Sequence, residues 1–215
     1  EIKHLYLSAY SAQWAQVRNS ITVTSAESMQ QTQNRISQLT QSYSKLWGIL
    51  NIILHNTHSS DKSSDFYNII TSSFLTLDSI NPTNNNKLVV SLNQLSSFLN
   101  SISNAKDPQA TALVIMQSIT TNKDSIALIN APISDAAMQP EIIQSWVKSI
   151  VTSTKHNLFN AALGHTNQVW HNTILPFWAS EIDNRYPIQK DAKDSVNTAD
   201  FNKFFAPAGM LDQFI

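Results

Sequence analysis

The chain has 215 residues, of which 42% are hydrophobic and only 13% charged, with a net charge of −1 and no cysteine. That apolar content excludes a disordered chain, and the near-neutral, scattered charge leaves no field to draw it to nucleic acid or an anionic bilayer. The missing cysteines exclude disulfides, thiolate catalysis and cysteine-based zinc sites, and no apolar run approaches the ~18 residues of a membrane span.

Gly48, Gly164 and Gly209 are the only glycines. Sandwiches and α/β folds need many turn positions with positive φ, which glycine supplies, so this scarcity predicts long helices joined by short polar loops. Tyr6, Tyr10, Trp14 and Val17 mark one face of a first helix. Thr24 and Glu27, three apart, offer a capping box for a second, with Met29, Ile36 and Leu39 inward. A third carries Leu46, Ile49, Leu50, Ile53 and Leu54 at intervals of three and four. After the polar stretch 55–64, a fourth starts near Ser64 or Asp65 and uses Phe66, Ile69, Ile70, Phe74 and Leu77. "NPTNNN" (81–86) is a break, and Leu88, Leu92, Leu95, Leu99 and Ile102 then form a regular stripe.

Asp107 followed by Pro108 reads as an N-cap and first helical residue, opening a helix with Leu113, Met116 and Ile119 inward. A turn or two covers 125–130, and Pro132 and Pro140 bracket a linker. From there the helical pattern runs for about forty residues through Ile143, Trp146, Val147, Ile150, Leu158, Ala162, Val169, Ile174 and Trp178, with a bend or break expected near Gly164 and a kink at Pro176 unless that proline sits in a first turn. Beyond Asn184 the pattern turns irregular. Thr198 or Asp200 is expected to cap a short helix with Phe201, Phe204 and Phe205 inward, before the turn "APAG" and a last helical turn "MLDQF". The fold class is therefore all-α: an elongated multi-helix bundle with a long or kinked C-terminal helix and an irregular aromatic closing segment. Two parts are drawn, a bundle over residues 1–131 and long helices plus the closing segment over 132–215, with packing into one domain left open.

Chemistry-bearing patterns are sparse. His55 and His58 fall in polar sequence, His165 and His171 are six apart, and neither pair has a third ligand or an HExxH setting. There is no GxSxG elbow, no P-loop and no GxGxxG. Asp183, Asp191, Asp194 and Asp200 cluster in sequence, and glycan cleavage would require two of them across a cleft; capping and solvation explain them as well. The five tryptophans, Trp14, Trp47, Trp146, Trp170 and Trp178, read as core. Arg185 ends the long helix, where a cation meets free carbonyls, and is also placed to pair with Asp194 or Asp200. No metal, cofactor or catalytic residue is expected.

The closing segment "RYPIQKDAKDSVNTADFNKFFAPAGMLDQFI" resembles a hallmark of the IcmF/TssM family. Arg185, Tyr186, Pro187, Asp194, Val196, Asp200, Phe201, Phe204, Phe205, Pro207, Gly209, Leu211, Asp212 and Phe214 match its pattern. Ile188 departs from the usual Phe, Ala206 from Gly and Ala208 from a frequent Gly. "LYLSAYSAQW", "LTQSYSKLWGIL", "PEIIQSWVKSI" and "LGHTNQVWHNTILPFW" resemble upstream parts of the same family, so the likeness extends over nearly the whole chain.

The resemblance implies a non-catalytic scaffold portion of a large inner-membrane protein, lying in the periplasm and supporting a type VI or type IVB secretion complex. It implies a DotU/TssL-type inner-membrane partner, an outer-membrane lipoprotein reached through a β-rich portion beyond Ile215, and scope for self-association. Membrane anchoring would then lie in segments outside this chain. The Asn-, Ser-, Ile- and Lys-leaning composition suggests an AT-rich genome and leans toward the type IVB branch. The competing readings are a helical domain that cleaves or binds cell-wall glycan, and a cytoplasmic helical adaptor. The tail is expected to act as a clasp, with its phenylalanines buried against the helix carrying Trp170 and Trp178.

Overall fold

The structure is a computed structural model that describes residues 1–78, 87–119 and 123–214. Among these residues the architecture is an all-α multi-helix bundle, as the glycine-poor, helically periodic sequence predicts. Helix α1 spans Ile2–Ser20, α2 Met29–Thr40 and α3 Lys45–Thr57, and a π-helical turn, Tyr67–Thr71, leads into α4, Ser72–Asp78. Then come α5 (Lys87–Ser103), α6 (Pro108–Ser118), α7 (Lys123–Asp135) and α8 (Glu141–Val169). The helix continues beyond α8 through a π turn (Trp170–Ile174), α9 (Leu175–Phe177) and a second π turn (Trp178–Ile182). Helices α10 (Thr198–Phe205) and α11 (Met210–Phe214) close the chain.

The expected stripes build the core. Leu88, Leu92, Leu95, Leu99 and Ile102 of α5 are all buried, and they join Ile36 and Leu39 of α2, Leu50 and Ile53 of α3, and Ile143, Val147, Ile150 and Leu158 of α8 in one apolar cluster. Ile70, Phe74 and Leu77 complete it from the Tyr67–Asp78 segment, where Ser64 Oγ accepts from Tyr67 N–H (3.1 Å) as the expected cap. The break at 81–86 lies outside the described residues.

Helix α1 departs from its predicted face. Leu7 is its buried residue, Tyr10 and Trp14 are half-buried, and Tyr6 is 65% exposed. Tyr10 sets this orientation: its ring lies against Trp14 and Phe66, and its hydroxyl donates to Asn56 O (3.1 Å), so the polar tip must stay near the surface. On α6 the fully buried residue is Ala112, not the larger Leu113, because α6 lies close along α8 and a small side chain lets the backbones approach.

Caps fall near their expected places. Asp107 Oδ1 accepts from Ala110 N–H (2.9 Å), with Pro108 as first helical residue. The cap of α2 is Ser28 rather than Thr24: Ser28 Oγ accepts from Gln31 N–H (3.2 Å), while Gln31 Oε1 reaches back to Glu27 N–H (3.0 Å). Thr24 instead accepts from Arg35 Nη2 (2.9 Å).

Three expected interruptions are overridden. The Pro132–Pro140 linker is helical through Asp135, and the boundary drawn between 131 and 132 falls inside α7, where Ile129 and Pro132 are buried side by side. A mid-helix proline costs about 3 kcal/mol, which burial of that face against α5 and α8 offsets. At Gly164, α8 runs on unbroken; a Cβ there would sit 3.1 Å from Gln109 Nε2 of α6, so the glycine admits a close neighbour rather than breaking the helix. Pro176 removes one donor between the two π turns, whose wider ladder absorbs the loss, as Asp183 N–H donating to Trp178 O (2.8 Å) illustrates.

An extended connection, residues 21–27, lies along α8 and is held there by polar side chains. Trp146 Nε1 donates to Ile21 O (3.0 Å) and Ser149 Oγ to Val23 O (3.2 Å). Ser153 Oγ accepts from Ala26 N–H (3.0 Å), and Asn157 Nδ2 donates to Ala26 O and to Thr32 Oγ1, both at 3.1 Å. The four donors and acceptors follow at three, four and four residues along α8, one face of the helix. Buried backbone groups that have no partner cost about 1–3 kcal/mol each, which is the penalty this ladder removes. Asn157→Ala should therefore destabilise the fold by about 1–3 kcal/mol in urea melts. An effect within experimental error would show that these bonds contribute nothing to stability.

Candidate functional site

Past Ala161 the main cluster ends, and a second begins on the same long helix. Ile174, Trp178 and Ile182 follow at intervals of four and share one face with Phe177. Ile174 and Ile182 are buried with Phe204 of α10, and Val169, Val196, Met210, Leu211 and Phe214 pack around them. Ile182 went unremarked in the sequence, although its spacing from Ile174 and Trp178 marks it.

The tail reaches this face through rings. Phe204, 3% exposed, stacks parallel on Phe177 (centroids 6.0 Å, 4° between planes) and lies 5.5 Å from Trp178. Phe205 meets Trp178 edge-on at 6.3 Å, and Phe201 lies 4.8 Å from Phe205. Phe214 covers Trp170 at 5.4 Å. The ammonium of Lys203 sits 4.7 Å from the Phe177 centroid, a cation–π contact on the outer face. The predicted clasp is thus present with unequal members: Phe204 is core, Phe201 is half-buried, and Phe205 is 38% exposed and guards the rim. The tryptophans divide likewise, with Trp47 and Trp146 buried, Trp14 and Trp178 half-buried and Trp170 37% exposed.

Arg185 closes the helix end. Its guanidinium donates to Ser180 O (2.9 Å) and Glu181 O (2.8 Å), with Glu181 Oε2 at 3.4 Å. The expected pairing with Asp194 or Asp200 does not form, because the side chain folds back onto carbonyls that would otherwise be orphaned. Asn184 takes φ 57° at this turn, a left-handed conformation that asparagine tolerates better than most residues. The chain then loops out and returns. Tyr186 N–H donates to Asp194 O and Val196 N–H to Tyr186 O, both at 2.9 Å, and the Tyr186–Pro187 peptide is cis. The Tyr186 ring remains 54% exposed, so that residue acts through its backbone.

Asn197 caps α10 by accepting from Ala199 N–H (2.8 Å), where Thr198 or Asp200 was expected. Asp200 lies in the first turn, where a carboxylate favourably meets the helix N-terminus. The turn into α11 is tight. Pro207 is exposed, Ala208 has φ 60°, and Gly209 N–H donates to Ala206 O at 2.7 Å. Asp212 Oδ2 accepts from Ala208 N–H and Gln213 Nε2 donates to Ala208 O, both at 2.8 Å. A Cβ on Gly209 would come within 2.7 Å of Ala206 O and 3.0 Å of the Lys203 and Phe204 carbonyls. Gly209 is thus required by close backbone approach, and Asp212 by the need to hold a strained Ala208. Asn197 and Gln213 carry comparable roles that the motif did not flag.

Arg185 and Asp212 thus bond groups of the helix end and of the tail turn, within this closing unit. Three surface clefts lie elsewhere, one between α5 and α7 and two along residues 18–27 and α8; Glu141 and Glu27 are the carboxylates lining them, one each in two of the three. Among the described residues no three His, Cys, Asp or Glu side chains gather as a metal site would need, and no helix is long and apolar enough to cross a membrane.

Sequence comparison finds a similarity to the type VI secretion system component TssM1 of Pseudomonas aeruginosa, 27% identical over 79 residues. That stretch is 37% of this chain and 7% of TssM1, so the chain corresponds to a small part of that protein's length. No family model matches the chain, and no solved structure matches it. The similarity to a TssM protein is thus partial and of low identity. The matched relative carries a type VI name, whereas composition points the expectation toward the type IVB branch.

Phe204→Ala should cost the closing unit about 3–5 kcal/mol, read from denaturant unfolding followed by tryptophan fluorescence; a loss under about 1 kcal/mol would make the ring a surface feature. At the turn, the two small residues have opposite signs. Ala208→Gly should stabilise by about 0.5–1 kcal/mol, since relief of the left-handed strain exceeds the added chain entropy. Gly209→Ala should destabilise by about 1–3 kcal/mol in the same melts, because backbone carbonyls cannot move aside.

Proposed function

We propose that this chain is a non-catalytic scaffold portion of an IcmF/TssM-like inner-membrane protein, lying in the periplasm and supporting assembly of a bacterial secretion complex. The observation that carries this reading is the similarity to a type VI secretion component. The closing unit supports it. Several of the residues by which the tail resembles the family are used for ring packing, helix capping and turn closure. Such a unit transmits position and load between neighbouring parts of a longer chain, which is an architectural role.

On this reading the partners are other secretion-complex subunits: a DotU/TssL-like protein of the inner membrane, and an outer-membrane lipoprotein reached through a further domain. Helical bundles with polar, weakly charged surfaces suit permanent neighbours better than electrostatically steered encounters.

The location and the absence of catalysis are tested separately. Alkaline phosphatase inserted at the exposed α7–α8 turn beside Met138, in the full natural protein, should be active, and green fluorescent protein at the same site should be dark. The reverse pattern would make the chain a cytoplasmic adaptor. Incubation with purified peptidoglycan should release no soluble fragments; release would replace the scaffold by a glycan-cleaving enzyme.

A further inference from the structure

The bundle and the closing unit share a helix but no core. The main apolar cluster and the side chains packed on it extend no further along the chain than Ala161, and the second begins at Val169. The ring contacts of Trp170, Phe177 and Trp178 are all with Phe204, Phe205 and Phe214 of the tail. The second cluster has three buried members, Ile174, Ile182 and Phe204, against two dozen in the first. Its rim stays wet at Trp170 and Phe205, and Ala208 is strained. The two π turns, which carry Ile174, Trp178 and Ile182 of the second cluster, replace regular helix with wider, less favourable turns.

We propose that residues 183–214 form a strap that opens and closes as one unit on the end of the Glu141–Ile182 helix, while the bundle stays folded. A region with few buried apolar contacts and its own small core opens at lower free energy than the main core, and does so cooperatively. Opening bares Trp170, Ile174, Phe177, Trp178 and Ile182, an apolar stripe on one side of a single helix, and frees α10 with Phe201, Phe204 and Phe205. The closed strap is therefore a cover over an aromatic helix face. Arg185 and the Tyr186–Val196 backbone pairing form the hinge side, because they hold the loop to the helix end independently of the rings. The proposal concerns this chain's own energetics and stands whether or not the secretion reading holds.

Hydrogen–deuterium exchange with mass-spectrometric readout, on the full chain, tests it. Amides of the strap helices, 198–214, should exchange as one group, about tenfold or more faster than those of α5 and of 143–158. Phe204→Ala should accelerate that group about 100-fold, or to the unprotected limit, with less than about a twofold change in the bundle. Ala208→Gly should slow the same group about two- to fivefold and leave the bundle unchanged. The strap is overturned if the wild-type tail exchanges in step with α5. It is overturned equally if Phe204→Ala accelerates or unfolds the bundle along with the tail, or if Ala208→Gly shifts both regions together.

Discussion

The helix from Glu141 to Ile182 is the element on which both halves of the molecule depend. Its first part buries Ile143, Trp146, Val147, Ile150, Val151 and Leu158 in the bundle, and its last part buries Ile174 and Ile182 under the tail. Because no buried side chain belongs to both clusters, orientation and register pass between them through backbone hydrogen bonds alone. That explains why the helix runs through Gly164 and Pro176. A break at either point would separate two cores that have no other connection of comparable size. The π turns at 170–174 and 178–182 preserve continuity by widening the ladder around the proline.

The low charge content is answered by the way Ser, Thr, Asn and Gln are used. Many of them bond the backbone: Ser28, Ser44 and Asn197 cap helices, and Ser149, Ser153 and Asn157 hold the extended 21–27 connection against α8. A charged residue at the buried positions of Ser153 and Asn157 would need a counter-charge and would cost more to desolvate. Few ion pairs are formed among the described residues. One joins Lys3 to Asp65 at 2.9 Å across exposed positions, and it holds the Asp65 carboxyl below the usual carboxylate range by hydrogen bond and charge. That contribution is present above the unfolded carboxylate range and fades as pH falls through the lowered value, and solvent screening keeps it small.

In the closing segment, four residues that match the resembled pattern have definite structural contacts. Arg185, Gly209, Asp212 and Phe204 are specified by carbonyl capping, close backbone approach, turn closure and ring burial respectively. Substituting any of them disturbs one small unit at the end of one helix. Ala208 has positive φ, a conformation that glycine would adopt without strain.

Much of the helical architecture was legible because helix periodicity and capping are local. The α5 stripe, the Asp107–Pro108 helix start and the inward Phe204 follow from spacing and side-chain type: the stripe and Phe204 are buried, and Asp107 caps its helix. Tertiary contact decided the rest. Pro132 and Gly164 look like interruptions by propensity, yet packing against neighbouring helices outweighs the ~1–3 kcal/mol they cost. Tyr6 and Val17 look inward by period, yet Tyr10 turns α1 so that Leu7 is buried instead. The Ser153–Asn157 ladder is silent in the sequence, because its partners lie more than a hundred residues away on backbone atoms that carry no sequence signature. Arg185 could be assigned to the helix end, but whether its fork met carbonyls or a distant carboxylate depended on where the tail folded. Local chemistry thus determined the helices and most of their inward faces, and the three-dimensional packing decided how far each helix runs and which polar groups meet.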